Sequence, residues 1–172
     1  MILADEPTSA LDVTVQAQIL LLLKSLVNEP GASVFLITHD LGVVVRLCDR
    51  VVVMYAGQEA EVALMPSRFR HPSHPSTQKL LDSLPDRQQG EIRGIPGVVS
   101  SLIDPPRGCR FPMRCEDALP MCREQRPPAV ELFPNHLVRC HLFPAEERHR
   151  LTSAIAPKLP GLETLGNNDA WV

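Results

Sequence analysis

The sequence predicts an α/β fold: part of a parallel sheet covered by helices, followed by a small irregular cysteine-rich extension. Three observations carry this expectation. Short apolar runs occur at residues 1–4, 33–37 and 51–55, none with strict alternation, as strands buried on both faces of a parallel sheet read. Helix-length segments at 13–28 and 41–48 separate those runs. Composition then changes near residue 62: only Pro7 and Pro30 precede it, and the other fifteen of the 17 prolines follow.

Met1-Ile2-Leu3-Ala4 is expected to be the end of a buried strand. Residues 13–28 are read as a helix capped by Asp12 and ended before Pro30-Gly31. Ser33-Val34-Phe35-Leu36-Ile37 is the second strand, residues 41–48 a short helix, and Val51-Val52-Val53-Met54-Tyr55 a third strand stopped by Gly57. This first unit covers residues 1–62. Residues 63–94 form a connection in which His71-Pro72-Ser73-His74-Pro75 turns into a helix over 77–83. Residues 95–144 are rich in proline, arginine and cysteine and poor in period, so they are expected to need a bound centre to hold their shape. The tail, 145–172, is read as disordered.

Bulk properties exclude several classes. A net charge of −3 and the lack of clustered aromatics argue against a nucleic-acid binder. The longest apolar runs, Ile19-Leu20-Leu21-Leu22-Leu23 and Val51-Val52-Val53-Met54, fall far short of the roughly 18 residues a spanning helix needs. The N-terminus carries no secretion pattern, so any membrane role is expected to come through a partner.

Asp5-Glu6 directly follows the first apolar run. Carboxyl ends of parallel strands face the ligand crevice of an open sheet. A carboxylate there suits Mg²⁺, largely through its waters, and a second can orient or deprotonate an attacking water. An isolated pair of this kind more often just ends a strand. The continuation Leu3-Ala4-Asp5-Glu6-Pro7-Thr8-Ser9-Ala10-Leu11-Asp12 resembles the Walker B motif and D-loop of ABC-transporter ATPases, and the later Thr38-His39-Asp40 resembles their switch histidine. The resemblance implies that Asp5 holds the Mg²⁺ of bound ATP and Glu6 acts as general base. It also implies that His39 contacts the γ-phosphate and that Ser9 to Asp12, with Ser9 and Asp12 at the ends, meet the opposite ATPase subunit.

No Gly-x-x-x-x-Gly-Lys-[Ser/Thr] and no Ser-Gly-Gly-Gln occur in these 172 residues. The backbone cradle and lysine that grip β- and γ-phosphates are therefore not among them. The expectation is a catalytic edge without its phosphate grip, an incomplete sheet with an exposed edge, and no ATP turnover by this chain alone.

Cys109, Cys115, Cys122 and Cys140 are separated by five, six and seventeen residues. Structural zinc sites usually begin with a tighter pair, so zinc is the weaker reading. Four thiolates equally suit an iron–sulfur cluster, and six arginines against four acids between Arg107 and Phe143 would offset its charge. His136 and His141 are alternative ligands, four reduced thiols without metal the plain alternative, and Cys48 a buried small residue. Ile95-Pro96-Gly97, the run from Pro105 to Phe111, Arg114-Cys115 and His136-Leu137-Val138-Arg139-Cys140 resemble the C-terminal extension of oligopeptide/dipeptide transporter ATPases. His74-Pro75-Ser76-Thr77 is similar to the segment before it, with Ser76 in place of an aromatic. That subfamily resemblance implies a [4Fe–4S] cluster on the four cysteines in preference to zinc. It further implies permease subunits, a second ATPase subunit (identical or not) and, indirectly, a peptide-binding protein as partners, at the cytoplasmic face of the inner membrane. The rival expectation is an inactive remnant whose cysteine-rich segment is a metal-binding interaction module.

Overall fold

The computed structural model describes residues 1–65, 69, 71–84 and 94–143. The tail expected over 145–172 and part of the 63–94 connection lie outside them. The described chain forms β1 (Ile2–Asp5), α1 (Val13–Val27), β2 (Val34–Ile37), α2 (Leu41–Leu47), β3 (Arg50–Tyr55), β4 (Gln58–Leu64), α3 (Pro75–Asp82), β5 (Val130–Phe133) and β6 (His136–Val138). Two short 3-10 turns, Pro112–Arg114 and Pro120–Arg123, lie between α3 and β5.

The first half follows the expected pattern. β1 and β2 pair in parallel, Ile2 opposite Val34 through to Asp5 opposite Ile37. Each strand runs into a helix with an aspartate cap. The Asp12 carboxylate accepts from Thr14 and Val15 N–H at 3.0 Å each. Asp40 accepts from Gly42 and Val43 N–H at 2.8 and 3.3 Å. These contacts satisfy N–H groups that the first helical turn leaves without partners, worth about 1 kcal/mol per cap.

The third strand departs from the expectation. β3 does not join β1 and β2 in a parallel sheet; it folds straight back onto β4, antiparallel, from Tyr55–Gln58 to Arg50–Leu64. Ala56 and Gly57 both take positive φ, 47° and 74°, the backbone that a tight two-residue hairpin requires. Gly57 adopts it freely, whereas Ala56 bears a Cβ strain. The unbroken valine run concealed the alternation: Val51 and Val53 are buried while Val52 and Met54 face out. β4 itself, with Glu59 and Glu61 among its apolar residues, does not read as a strand and runs through the boundary drawn at residue 62.

β6 then pairs antiparallel with β4, and β5 with β6, so a second sheet runs β3-β4-β6-β5. The extension thus shares a sheet with the first unit. It has a small core of its own, Val130, Leu132, Val138 and Cys140. The larger core gathers Val44, Val51, Val53, Ala63, Phe69 and Leu81. By contrast the parallel pair and α1 carry apolar side chains outward: Leu3 is 66% exposed, Phe35 52% and Leu21 68%. Among the described residues no helix is long and apolar enough to cross a membrane.

Candidate active site

Glu6 and His39 leave the C-terminal ends of the two parallel strands and meet there. The Glu6 N–H donates to the Ile37 carbonyl at 2.9 Å, extending the ladder by one residue and holding the two strand tips together. Glu6 then turns through φ 46°, a left-handed backbone unusual for a residue with a side chain. That twist leads into a tight loop in which the Ser9 N–H and hydroxyl both donate to the Glu6 carbonyl, at 3.0 and 2.8 Å. From the turn, Glu6 Oε1 reaches His39 Nδ1 at 2.8 Å.

The hydrogen bond to Glu6, and then its charge, raise the His39 pKa above the usual imidazole value, because both favour the protonated ring. The ring is almost wholly exposed, so the pair is open to ligand and solvent alike. Asp5 lies one residue earlier, at the end of β1 and exposed. Its carboxylate makes no hydrogen bond among the described residues, and such an open hard-oxygen donor suits a hydrated divalent cation. Asp40, next to His39, is held on three sides: its own N–H donates to Thr38 Oγ1, its carboxylate caps α2, and Gln16 of α1 donates to it at 3.2 Å. The loop bearing His39 is therefore tied to both helices. Ser9 is exposed and Asp12 is committed to capping α1.

The four cysteines gather in one neighbourhood without forming a metal centre. The Cys109 N–H donates to the Cys122 carbonyl at 2.8 Å. Gly108 makes that approach possible: a Cβ there would stand 2.3 Å from the Cys122 carbonyl oxygen. Burial pushes the Cys109 and Cys115 thiols up. Burial drives Cys140 up to about 12, with the neighbouring cysteines adding to it. Yet among the described residues no group of three or more His, Cys, Asp or Glu side chains stands in ligand geometry, and all five cysteines are free thiols. The donor chemistry suits a soft metal; the positions of the sulfurs as they stand do not. His141 Nε2 bonds the Gln125 carbonyl at 2.9 Å, which orients the ring. Cys48 ends α2, half-buried, its thiol raised by burial.

A buried polar cluster went unread in the sequence. Glu61 and His136, each 1% exposed, meet at 2.6 Å between β4 and β6. Glu61 also accepts from the Ser73 and His74 N–H groups, at 2.8 and 3.0 Å. Burial alone would raise its pKa. The bond from His136, followed by those backbone donors, outweighs burial and holds the carboxyl below its ordinary range. His74 caps α3 by accepting from Ser76 N–H at 3.0 Å, and burial lowers its pKa, keeping it neutral. One carboxylate thus ties the connection before α3 and the extension's last strand to β4. The available signal was Glu61 itself, a charge between Ala60 and the apolar run Val62-Ala63-Leu64.

Parallel strand tips carrying Asp, Glu and His, each strand feeding a capped helix, are consistent with part of an ABC-type ATPase domain, here followed by an extension. Residues 61–122 match the family described as the oligopeptide/dipeptide transporter C-terminal region. The chain is 49% identical over 143 residues to the "Probable peptide ABC transporter ATP-binding protein y4tR" of Sinorhizobium fredii, covering 81% of this chain and 43% of that protein. It is 43% identical over 158 residues to the dipeptide transport ATP-binding protein DppD of Bacillus subtilis, covering 91% and 47%. With the oligopeptide transport ATP-binding protein OppD of the same organism the figures are 44% over 146 residues, 83% and 41%. The chain thus matches peptide ABC transporter ATP-binding proteins over most of its own length and spans less than half the length of these curated relatives.

Proposed function

We propose that this chain supplies the hydrolytic edge of the ATP-binding subunit of an ABC transporter that imports oligopeptides or dipeptides. The observation that carries the proposal is the 2.8 Å contact between Glu6 and His39 at the tips of two parallel-paired strands. Asp5 would hold Mg²⁺ through its exposed carboxylate, and the cation would offset phosphate charge. Glu6 is the general base for the attacking water. His39, carrying a proton that Glu6 helps retain, donates toward the terminal phosphate. The exposed Ser9-to-Asp12 loop faces a second ATPase subunit; Leu11 and Val13, 40% and 83% exposed, offer apolar surface beside it. Permease subunits and, through them, a peptide-binding protein complete the assembly at the cytoplasmic face of the inner membrane. The names of the relatives support this reading.

The phosphate grip has to come from outside these 172 residues, so the test is a chimera. Residues 1–143 replace the matching segment of the Bacillus subtilis dipeptide transport ATP-binding protein, and MgATP hydrolysis is measured. The chimera is expected to hydrolyse ATP, and Glu6→Gln to slow it by about 10²–10⁴-fold with ATP still bound, the usual range for a lost general base. Undiminished turnover by that variant would refute the assignment.

For Cys109, Cys115, Cys122 and Cys140 we propose the [4Fe–4S] cluster, supported by four thiols sharing one neighbourhood. Because the sulfurs are not in ligand geometry, no step of the hydrolysis is assigned to it. Anaerobic purification followed by iron and sulfide analysis decides: zinc-loaded, iron-free protein overturns this part.

A further inference from the structure

A cleft at the junction of the hairpin and the extension has a composition that hydrolysis does not use. Tyr55, Gln58 and Glu59 from the hairpin, His74 ahead of α3, and Cys109, Phe111 and Pro127 from the extension line it, together with three arginines, Arg110, Arg126 and Arg139. Its cavity volume is small, about 20 Å³, and it opens to solvent, so it admits only a small occupant.

Three guanidiniums and one carboxylate line the cleft. Arg139 Nε pairs with Glu59 at 3.0 Å. Arg110 donates one terminal nitrogen to the Ala56 carbonyl, yet its Nε is buried and has no hydrogen-bond partner. Arg126 makes no hydrogen bond or ion pair among the described residues. Burial keeps His74 neutral, so it adds no charge. The walls are firm. Phe111 packs edge-on against Tyr55 at 4.9 Å, and the bond from His141 to the Gln125 carbonyl pins the chain beside Arg126. Arg139 is anchored by its N–H to the Ala60 carbonyl at 2.9 Å.

A buried guanidinium N–H without an acceptor carries an unrecovered desolvation cost, and that cost is released when an acceptor arrives. Arginine forks match the oxygens of phosphate-type anions in pairs. We propose that this cleft binds a small oxyanion of the phosphate class, held by Arg110, Arg126 and Arg139 where the extension meets the hairpin. Because Glu59 and Ala60 belong to β4 while Arg110 and Arg126 belong to the extension, an anion there links the two units. The site is separate from the Asp5–Glu6–His39 edge, and its occupancy does not depend on ATP turnover.

The test is titration of the full chain with inorganic phosphate at constant ionic strength, following arginine Nε–H resonances by NMR and heat by calorimetry. Acetate and ATP serve as parallel arms. The expected result is saturable phosphate binding in the millimolar range or tighter, with a shifted Arg110 Nε–H signal and weaker binding of acetate. Arg126→Gln, at an exposed position with no partner among the described residues, is expected to weaken binding by about tenfold while leaving the circular dichroism unchanged. Arg46→Gln on α2 is the control and is expected to change nothing. Phosphate heats that do not saturate overturn the proposal. So does equal binding by the Arg126→Gln and wild-type chains, or tighter binding of acetate. Tighter binding of ATP than of phosphate, abolished by Arg126→Gln, would assign the site to a nucleotide's phosphates instead of a free anion.

Discussion

Replacing Glu61 with glutamine keeps the shape of the side chain and removes its charge, which makes the buried cluster the sharpest place to test the account of the extension. The carboxylate takes His136 Nε2 and the Ser73 N–H on one oxygen and the His74 N–H on the other. A glutamine has one acceptor oxygen. Whichever way it turns, its NH₂ faces a donor, leaving at least one buried N–H unmatched, at about 1–3 kcal/mol. Loss of the charge-assisted bond to His136 brings the total to about 3–5 kcal/mol, as for removal of one partner from a buried pair. No solvent discount applies, since both side chains are 1% exposed. The assay is urea unfolding followed by far-ultraviolet circular dichroism, with His136→Gln and the double variant completing a cycle. The midpoint is expected to fall with the slope unchanged, and the two changes to couple by more than 1 kcal/mol. Acid adds a second reading. Because the folded carboxyl sits below its ordinary value of 4.5, its stabilisation is present above that pH and is lost as the pH falls below it. The Glu61→Gln chain is expected to lack that acid-dependent part. Additive single changes, or an acid profile identical to the wild type, would show that the pair holds nothing together.

Glu6→Gln is expected to lower the His39 pKa toward the ordinary imidazole value, read from ring-proton shifts against pH, because Glu6 is the first cause of its rise. In the same titration the wild-type Glu6–His39 contact is complete below the unfolded histidine value of 6.5 and weakens as the pH climbs through the raised one. Gly108→Ala forces a Cβ to within 2.3 Å of the Cys122 carbonyl and 2.7 Å of the Arg123 carbonyl carbon. Neither backbone atom can swing aside, so a loss of about 2–4 kcal/mol and faster thiol labelling of buried Cys122 are expected. Asp40→Ala removes the α2 cap and the Gln16 contact together, and is expected to lower stability by about 1–2 kcal/mol, more than Asp12→Ala, in thermal unfolding.

Local chemistry wrote part of this protein directly into its residues. Aspartate before an apolar helical run caps a helix wherever the chain lies, so Asp12 announced α1, and the structure shows Asp40 doing the same for α2. An acidic pair and a histidine, each just past an apolar run, marked the two strand tips, where the structure brings Glu6 and His39 to 2.8 Å. What depended on distant partners stayed hidden. β3 was read into the parallel sheet because its valines lie on both faces; the pairing was decided by the Ala56-Gly57 turn and by β4 as a partner. The extension had no period of its own because its strands complete another unit's sheet, through Glu61 and His136, 75 residues apart. Cysteine spacing likewise marked where thiols gather but not how far apart the sulfurs stand. Caps and turns act over a few residues and can be read in order along a chain. Sheet pairing, buried charge and ligand distance arise between segments far apart in sequence, and only the folded structure sets them.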